Sequence, residues 1–118
     1  MNFIQPQNSR NVFSCSSSNF FDVSRLYLAP EILKTQQNMP KSDVYSFALI
    51  FYEILSNESP FKKINNYLKY LSKIVNENYR PSFDKTCINE GARLLIEKCW
   101  SENPSDRLSF SEIIWSFI

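Results

Sequence analysis

The residues able to do chemistry in this chain are few, and their types exclude more than they permit. There is no histidine among the 118 residues, so neither a Ser-His or Cys-His nucleophile pair nor a histidine-ligated zinc site can be written. The single glycine, Gly91, excludes a phosphate-cradling loop. Such loops need several glycines close together so that backbone N–H groups can approach the oxygens. Cys15, Cys87 and Cys99 fall at no metal-ligand spacing. An odd thiol count fits a reducing compartment, and the expected location is cytoplasmic. What remains are charged residues beside prolines and helix starts: Glu31 after Ala29-Pro30, Asp43 after Ser42, and Arg107 after Asp106. A carboxylate such as Asp43 suits the first turn of a helix, where N–H groups are unpaired.

The elements that must position them are helical. From Met1 to about residue 21 the chain is rich in Asn, Ser and Gln and shows no periodicity, which predicts a loop or tail. The serines at 14, 16, 17 and 18 in that stretch, with Ser24, are candidate phosphoacceptors, although loop serines are ordinarily just solvated. Pro30 suits the first turn of a short helix, where its missing N–H has no intrahelical partner to lose. The segment 41–55 reads as a helix starting at Ser42 or Asp43 and apolar on almost every side, which places it inside a protein and predicts exposed apolar surface where neighbours run short. Ile64, Leu68, Leu71, Ile74 and Val75 recur at helical spacing until Tyr79-Arg80-Pro81. A helix from about Asn89 carries Leu95, Ile96, Cys99 and Trp100 and stops at Asn103-Pro104. Ser109 and Glu112 match a capping box that opens the last helix.

The hydrophobic content of 43% supplies a core for one domain. The balance of 13 basic against 12 acidic residues gives a formal charge of +1, which offers no electrostatic attraction to nucleic acid or anionic lipid. The longest apolar stretch, about 44–55, is broken by Tyr45, Ser46, Tyr52 and Glu53 and is too short for a membrane span.

Four blocks stand in a telling order: Tyr27-Leu28-Ala29-Pro30-Glu31; Ser42-Asp43-Val44-Tyr45-Ser46-Phe47; Tyr79-Arg80-Pro81; and Cys99-Trp100 followed by Asn103-Pro104 and Asp106-Arg107. Together they resemble the C-terminal lobe of a protein kinase, from the end of the activation segment to the last helix, over roughly residues 22–118. The Cys-Trp pair and the style of the central helix look most like the tyrosine-kinase-like group of Ser/Thr kinases, or tyrosine kinases themselves. The resemblance implies a mainly α fold without an N-terminal lobe, and a parent reaction of phosphoryl transfer from ATP to Ser/Thr of proteins. It also assigns roles. Glu31 and Arg107 match a buried structural ion pair, and Asp43 a carboxylate that accepts hydrogen bonds from the catalytic loop. In this chain Asp43 is expected to act instead as a helix-start residue. Residues 22–27, including Ser24, Arg25, Leu26 and Tyr27, match the loop that receives the substrate residue after the phosphorylated one. Val23, where relatives often have Gly, and Arg25, where they have a smaller residue, depart from that pattern. So does Ala48, where many have Gly.

Phosphoryl transfer needs a lysine on the α/β-phosphates, a glycine-rich cover, an aspartate on Mg²⁺ and a catalytic-loop aspartate with its asparagine. No His-Arg-Asp, Asp-Phe-Gly or Val-Ala-Ile-Lys occurs; Asp84 lacks a following glycine and lies after the Ala-Pro-Glu block. The expectation is a chain with no catalytic, cofactor or metal residues of its own, ATP and Mg²⁺ belonging to a complete parent. Its partner would be the remaining kinase segments or another protein. The alternatives are a non-catalytic, pseudokinase-like interaction module and a degenerate fragment.

Overall fold

A computed structural model of the chain describes residues 23–62 and 64–118. The serine-rich stretch read as a tail over 1–21 lies outside the described residues. Among the described residues every regular element is helical: a 3-10 helix at Val23–Tyr27, α1 at Pro30–Thr35, α2 at Pro40–Ser56, α3 at Tyr67–Glu77, α4 at Glu90–Cys99, a second 3-10 helix at Pro104–Asp106, and α5 at Phe110–Ser116. This is the mainly α lobe expected of the sequence, with no strand among the described residues.

Local chemistry fixes the boundaries. Pro30 opens α1 and Pro40 opens α2, each in the first turn, where no N–H is needed. The α2 start is therefore two residues earlier than Ser42. Ser42 lies in the first turn and accepts a 3.3 Å hydrogen bond from the Met39 N–H. Asn66 caps α3 and Asn89 caps α4, their side-chain oxygens accepting from the N–H groups of Lys69 and Ala92. The apolar repeat beginning at Ile64 thus precedes the true α3 start at Tyr67. Ser109 and Glu112 form the full reciprocal capping box of α5. Helices α1, α2 and α3 end on left-handed residues, Gln36, Asn57 and Asn78, which release the chain from the helical path.

Helix α2 is the axis of the fold and packs most extensively against α4. Val44, Tyr45, Ala48, Leu49 and Tyr52 line its buried side, meeting Leu26 and Ala29 on one flank and Ile96, Cys99 and Trp100 on another. Aromatic edges knit the periphery: Phe61 stands edge-on to Tyr70 at 4.8 Å, and Tyr52 and Trp100 lie against Phe83 at 5.5 and 5.6 Å. The opposite side of α2 is open. Ile50 and Ile54 project into solvent, as do Phe110 and Ile114 of α5 and Phe117 just after it, while Phe47 and Phe51 of α2 stand edge-on to Phe110 and Phe117; the surplus of apolar residues in segment 41–55 anticipates such exposure. No helix among the described residues is long and apolar enough to cross a membrane.

Candidate functional site: the junction beneath the 3-10 helix

Residues 23–27 form a 3-10 helix whose N-terminal half faces outward. Val23, Ser24 and Arg25 are exposed, while Leu26 is buried in the core and serves as its anchor. Tyr27 supplies three further ties to α2 and the loop after it. Its hydroxyl donates to Glu53 at 2.8 Å, its carbonyl accepts from the Ser46 hydroxyl at 2.7 Å, and its ring stands edge-on to Phe61 at 5.0 Å. Burial, followed by the hydrogen bond to Glu53 and its negative charge, pushes the Tyr27 phenol up to about 12, so it stays a donor at physiological pH. A short turn that would otherwise fray is thereby held in one place, with Val23 and Arg25 on its exposed edge.

Two residues further on, Ala29 is buried and Pro30 turns the chain into α1, which points Glu31 at the base of the lobe. There it meets Arg107, whose side chain is fully buried. Arg107 Nη1 and Nη2 donate to the two Glu31 oxygens at 2.8 and 2.9 Å, the parallel two-bond arrangement that a planar guanidinium favours. The other donors are used as well: Nε to the Ser101 carbonyl at 2.8 Å, Nη1 to the Lys41 carbonyl at 2.9 Å, and Nη2 to the Glu102 carbonyl at 3.4 Å. All five guanidinium N–H groups therefore have acceptors, the condition under which a charge tolerates removal from water. The Lys41 ammonium returns a bond to the Arg107 carbonyl at 2.7 Å. One side chain thus fastens α1, the start of α2 and the loop after α4 together.

Ser42 completes the junction. It is buried, and its hydroxyl donates to Glu31 Oε2 at 2.6 Å while accepting from the Met39 N–H. Burial by itself raises the Glu31 carboxyl. The bonds from Arg107 and Ser42 and the Arg107 charge outweigh it, and the net position is below the ordinary value of 4.5. Sequence reasoning reads Ser42 only as a helix start.

Tyr45 lies under the same junction, with the Arg107 guanidinium 5.2 Å and the Arg80 guanidinium 4.9 Å from its ring centre. Arg80 in turn donates to the carbonyls of Trp100 at 2.8 Å and Tyr79 at 2.7 Å, and pairs with Glu102, which also holds Lys34 of α1 at 3.0 Å. The Tyr-Arg-Pro block and the Asp-Arg block therefore converge on one aromatic ring, a link that no local spacing reveals. Asp43 behaves differently: it sits exposed in the first turn of α2, outside the junction. Asp84 is an exposed loop residue, far in role from any phosphate ligand. Among the described residues no group of three or more potential metal ligands gathers. Cys87 is exposed and unpaired, and burial raises the Cys99 thiol to about 11, which makes it a core residue rather than a nucleophile.

An all-helical lobe whose Ala-Pro-Glu segment is locked by a buried arginine is the lower half of a kinase domain. The profile of the protein tyrosine and serine/threonine kinase family matches residues 10–117, and the chain belongs to that family. Relatives include the dual specificity protein kinase shkC of Dictyostelium discoideum, 38% identical over 89 residues, or 75% of this chain and 17% of the relative. Another, shkD of the same organism, is 39% identical over 90 residues, 76% of this chain and 12% of the relative. The serine/threonine-protein kinase VIK of Arabidopsis thaliana is 36% identical over 111 residues, 94% of this chain and 24% of the relative. The chain therefore spans less than a quarter of the length of each of these kinases.

Proposed function

We propose that these residues form the substrate-facing base of a protein kinase domain, and that the groups holding ATP and Mg²⁺ reside on polypeptide outside them. The observation that carries this reading is the Arg107–Glu31 junction. It spends a fully satisfied buried charge pair on fixing the five residues from Tyr27 to Glu31 in space, and such rigidity has a use only if something must dock against the segment it holds. The 3-10 helix, with Val23, Ser24 and Arg25 outward and Leu26 and Tyr27 anchored, is the docking edge for a protein substrate. The parent reaction is phosphoryl transfer to Ser or Thr, in line with the serine/threonine and dual-specificity kinases among the relatives.

The uncovered side of α2 supports the second half of the proposal. A groove of about 490 Å³ runs between α2, α4 and α5, lined by Phe51, Leu94, Leu95, Leu108 and Phe117. Exposed Ile50 and Ile54 extend the apolar surface beside it. Isolated apolar residues on a surface are ordinary, whereas a contiguous patch marks a contact. The partner proposed is the rest of the kinase domain. Asp43, exposed at the head of α2, would there accept backbone N–H groups of the catalytic loop. The setting is cytoplasmic, consistent with unpaired Cys87 and Cys99.

Phosphoryl transfer depends on positioning and on neutralising charge, so a chain without metal and nucleotide ligands lacks the mechanism rather than running it slowly. The purified chain, free of other kinases and incubated with labelled ATP, Mg²⁺ and a protein acceptor, is expected to give no incorporation above background. Incorporation that follows the chain through purification and disappears on its removal refutes the reading.

A further inference from the structure

Side chains of a 3-10 helix repeat every three residues, so the turn at Val23–Tyr27 has three faces. Two of them are held by the lobe. Leu26 fixes one in the core, at 2% exposure. Tyr27 fixes the second, through its hydroxyl on Glu53 and its ring against Phe61. The third face carries Arg25, which is exposed. Its backbone is fixed all the same, since the Arg25 carbonyl accepts from the Leu28 N–H at 3.2 Å. A guanidinium is thus carried outward from a turn whose other two faces keep it from rotating.

The other arginines of the described residues serve the lobe itself. Arg80, Arg93 and Arg107 pair with Glu102, Glu97 and Glu31. Each also places its guanidinium over an aromatic ring, with Tyr45, Phe83 and Tyr45 at 4.9, 5.4 and 5.2 Å. Through those rings they fasten one part of the lobe to another. Arg25 stands instead on the edge facing solvent, with Val23 half exposed on the same short turn. A guanidinium carries five N–H donors in one plane, the arrangement that binds a carboxylate or a phosphate through two parallel bonds.

We propose that Arg25 selects protein substrates with an anionic side chain directly after the phosphorylated Ser or Thr. This rests on the reading of the 3-10 helix as the docking edge for a protein substrate, and adds the chemistry of the residue received there. An acidic substrate residue brings a carboxylate to the guanidinium, and an already phosphorylated one brings a phosphate with the same pairing geometry. A lysine at that place meets like charge. Because the pair stays in contact with water, the selectivity is modest, about threefold for one charge.

The test is photo-crosslinking of the full chain with serine-centred peptides. Each carries Asp, phosphoserine, Ala or Lys directly after the serine, and a benzophenone one residue further on. Mass spectrometry locates the label, and titration gives the half-saturating concentration of each peptide. Labelling is expected at the 3-10 helix, with the Asp and phosphoserine peptides saturating about threefold below the Ala peptide and the Lys peptide above it. Arg25→Glu, a change confined to an exposed side chain, is expected to reverse that order, and Arg25→Ala to erase it. In about 1 M salt, where charges are screened within about 3 Å, the wild-type order should collapse. A preference shared by Asp and phosphoserine assigns the site to acidic substrates, and one for phosphoserine alone to substrates phosphorylated beforehand. Labelling at the 3-10 helix with equal saturation by all four peptides, or an order that survives Arg25→Ala, overturns the inference and leaves the docking edge standing. Labelling elsewhere, or none, overturns both.

Discussion

Arg107 is the residue on which the base of the lobe depends, because it is fully buried and every N–H it owns is committed. Replacing Glu31 by Gln leaves that guanidinium buried without its counter-charge. The expected loss is about 3–5 kcal/mol of stability, read as a lowered urea midpoint. Arg107→Lys is expected to lose much of the same stability despite keeping the charge, since an ammonium cannot make two parallel bonds to Glu31 and also reach the carbonyls of Ser101, Lys41 and Glu102. The pair also sets an acid response. The Glu31 carboxyl is held below 4.5 in the fold, so the unfolded chain takes up its proton first as pH falls. Its stabilisation is complete above about 4.5 and is lost as pH drops through the folded value. Urea midpoints measured from pH 7 downward should decline below that point, and the Glu31→Gln variant should decline less. It should still decline somewhat, because the Ser109 hydrogen bonds also hold Glu112 below its ordinary value. Periodicity is silent on a pairing across 76 residues; only the resemblance of the flanking blocks to kinases brings Glu31 and Arg107 together. The part played by Ser42 is not legible even then, because a hydroxyl that serves a cap and a carboxylate at once looks in sequence like any helix-start serine.

The helices were readable to the extent that their ends are written in single residues. Asn89, Ser109 with Glu112, and Pro30 each mark a boundary by supplying or dispensing with a hydrogen bond. Ser109→Ala is accordingly expected to cost about 1 kcal/mol and to fray α5, which a loss of amide protection at Ile113 would report. The start of α2 is less legible because Pro40 serves equally well as the last residue of a loop and the first of a helix, and only the path of the chain decides. Gln36 is the weak link among the helix ends. It holds a φ of 62° with a side chain that does not favour it, whereas Asn57 and Asn78 suit the left-handed region better. Gln36→Gly is expected to raise the urea midpoint by the equivalent of about 0.5–1 kcal/mol. A fall instead would mean that the side chain makes an interaction worth more than the backbone strain.

At the scale of the whole molecule, the lobe has a finished side and an unfinished one. Around the Arg107 junction the buried Arg107 has its Glu31 partner, and the core side of α2 packs on α4 and on the two 3-10 helices. Across the molecule Ile54 is 69% and Trp115 72% exposed, next to an open apolar groove. The sequence signals this imbalance in the all-round apolar character of segment 41–55, but it cannot say which side of that helix stays open; that depends on where α4 and α5 come to rest. The purified chain is expected to self-associate through this face. Ile54→Glu should reduce association in sedimentation while changing monomer stability by no more than about 0.5 kcal/mol, as befits an exposed position. Within a complete kinase domain the same substitution should be strongly destabilising, since it would then place a charge against the segments that cover α2.

The central claim is that this lobe works as part of a larger kinase domain that supplies the nucleotide and metal ligands. The direct measurement is the size of the native polypeptide that contains Leu26-Tyr27-Leu28-Ala29-Pro30-Glu31-Ile32-Leu33, found by fractionating cell extract by size and identifying its peptides by mass spectrometry. The expected polypeptide is far heavier than 13.9 kDa and yields further peptides carrying a glycine-rich loop and a His-Arg-Asp catalytic loop. A native polypeptide of 13.9 kDa that migrates alone, without kinase segments bound to it, would contradict the claim.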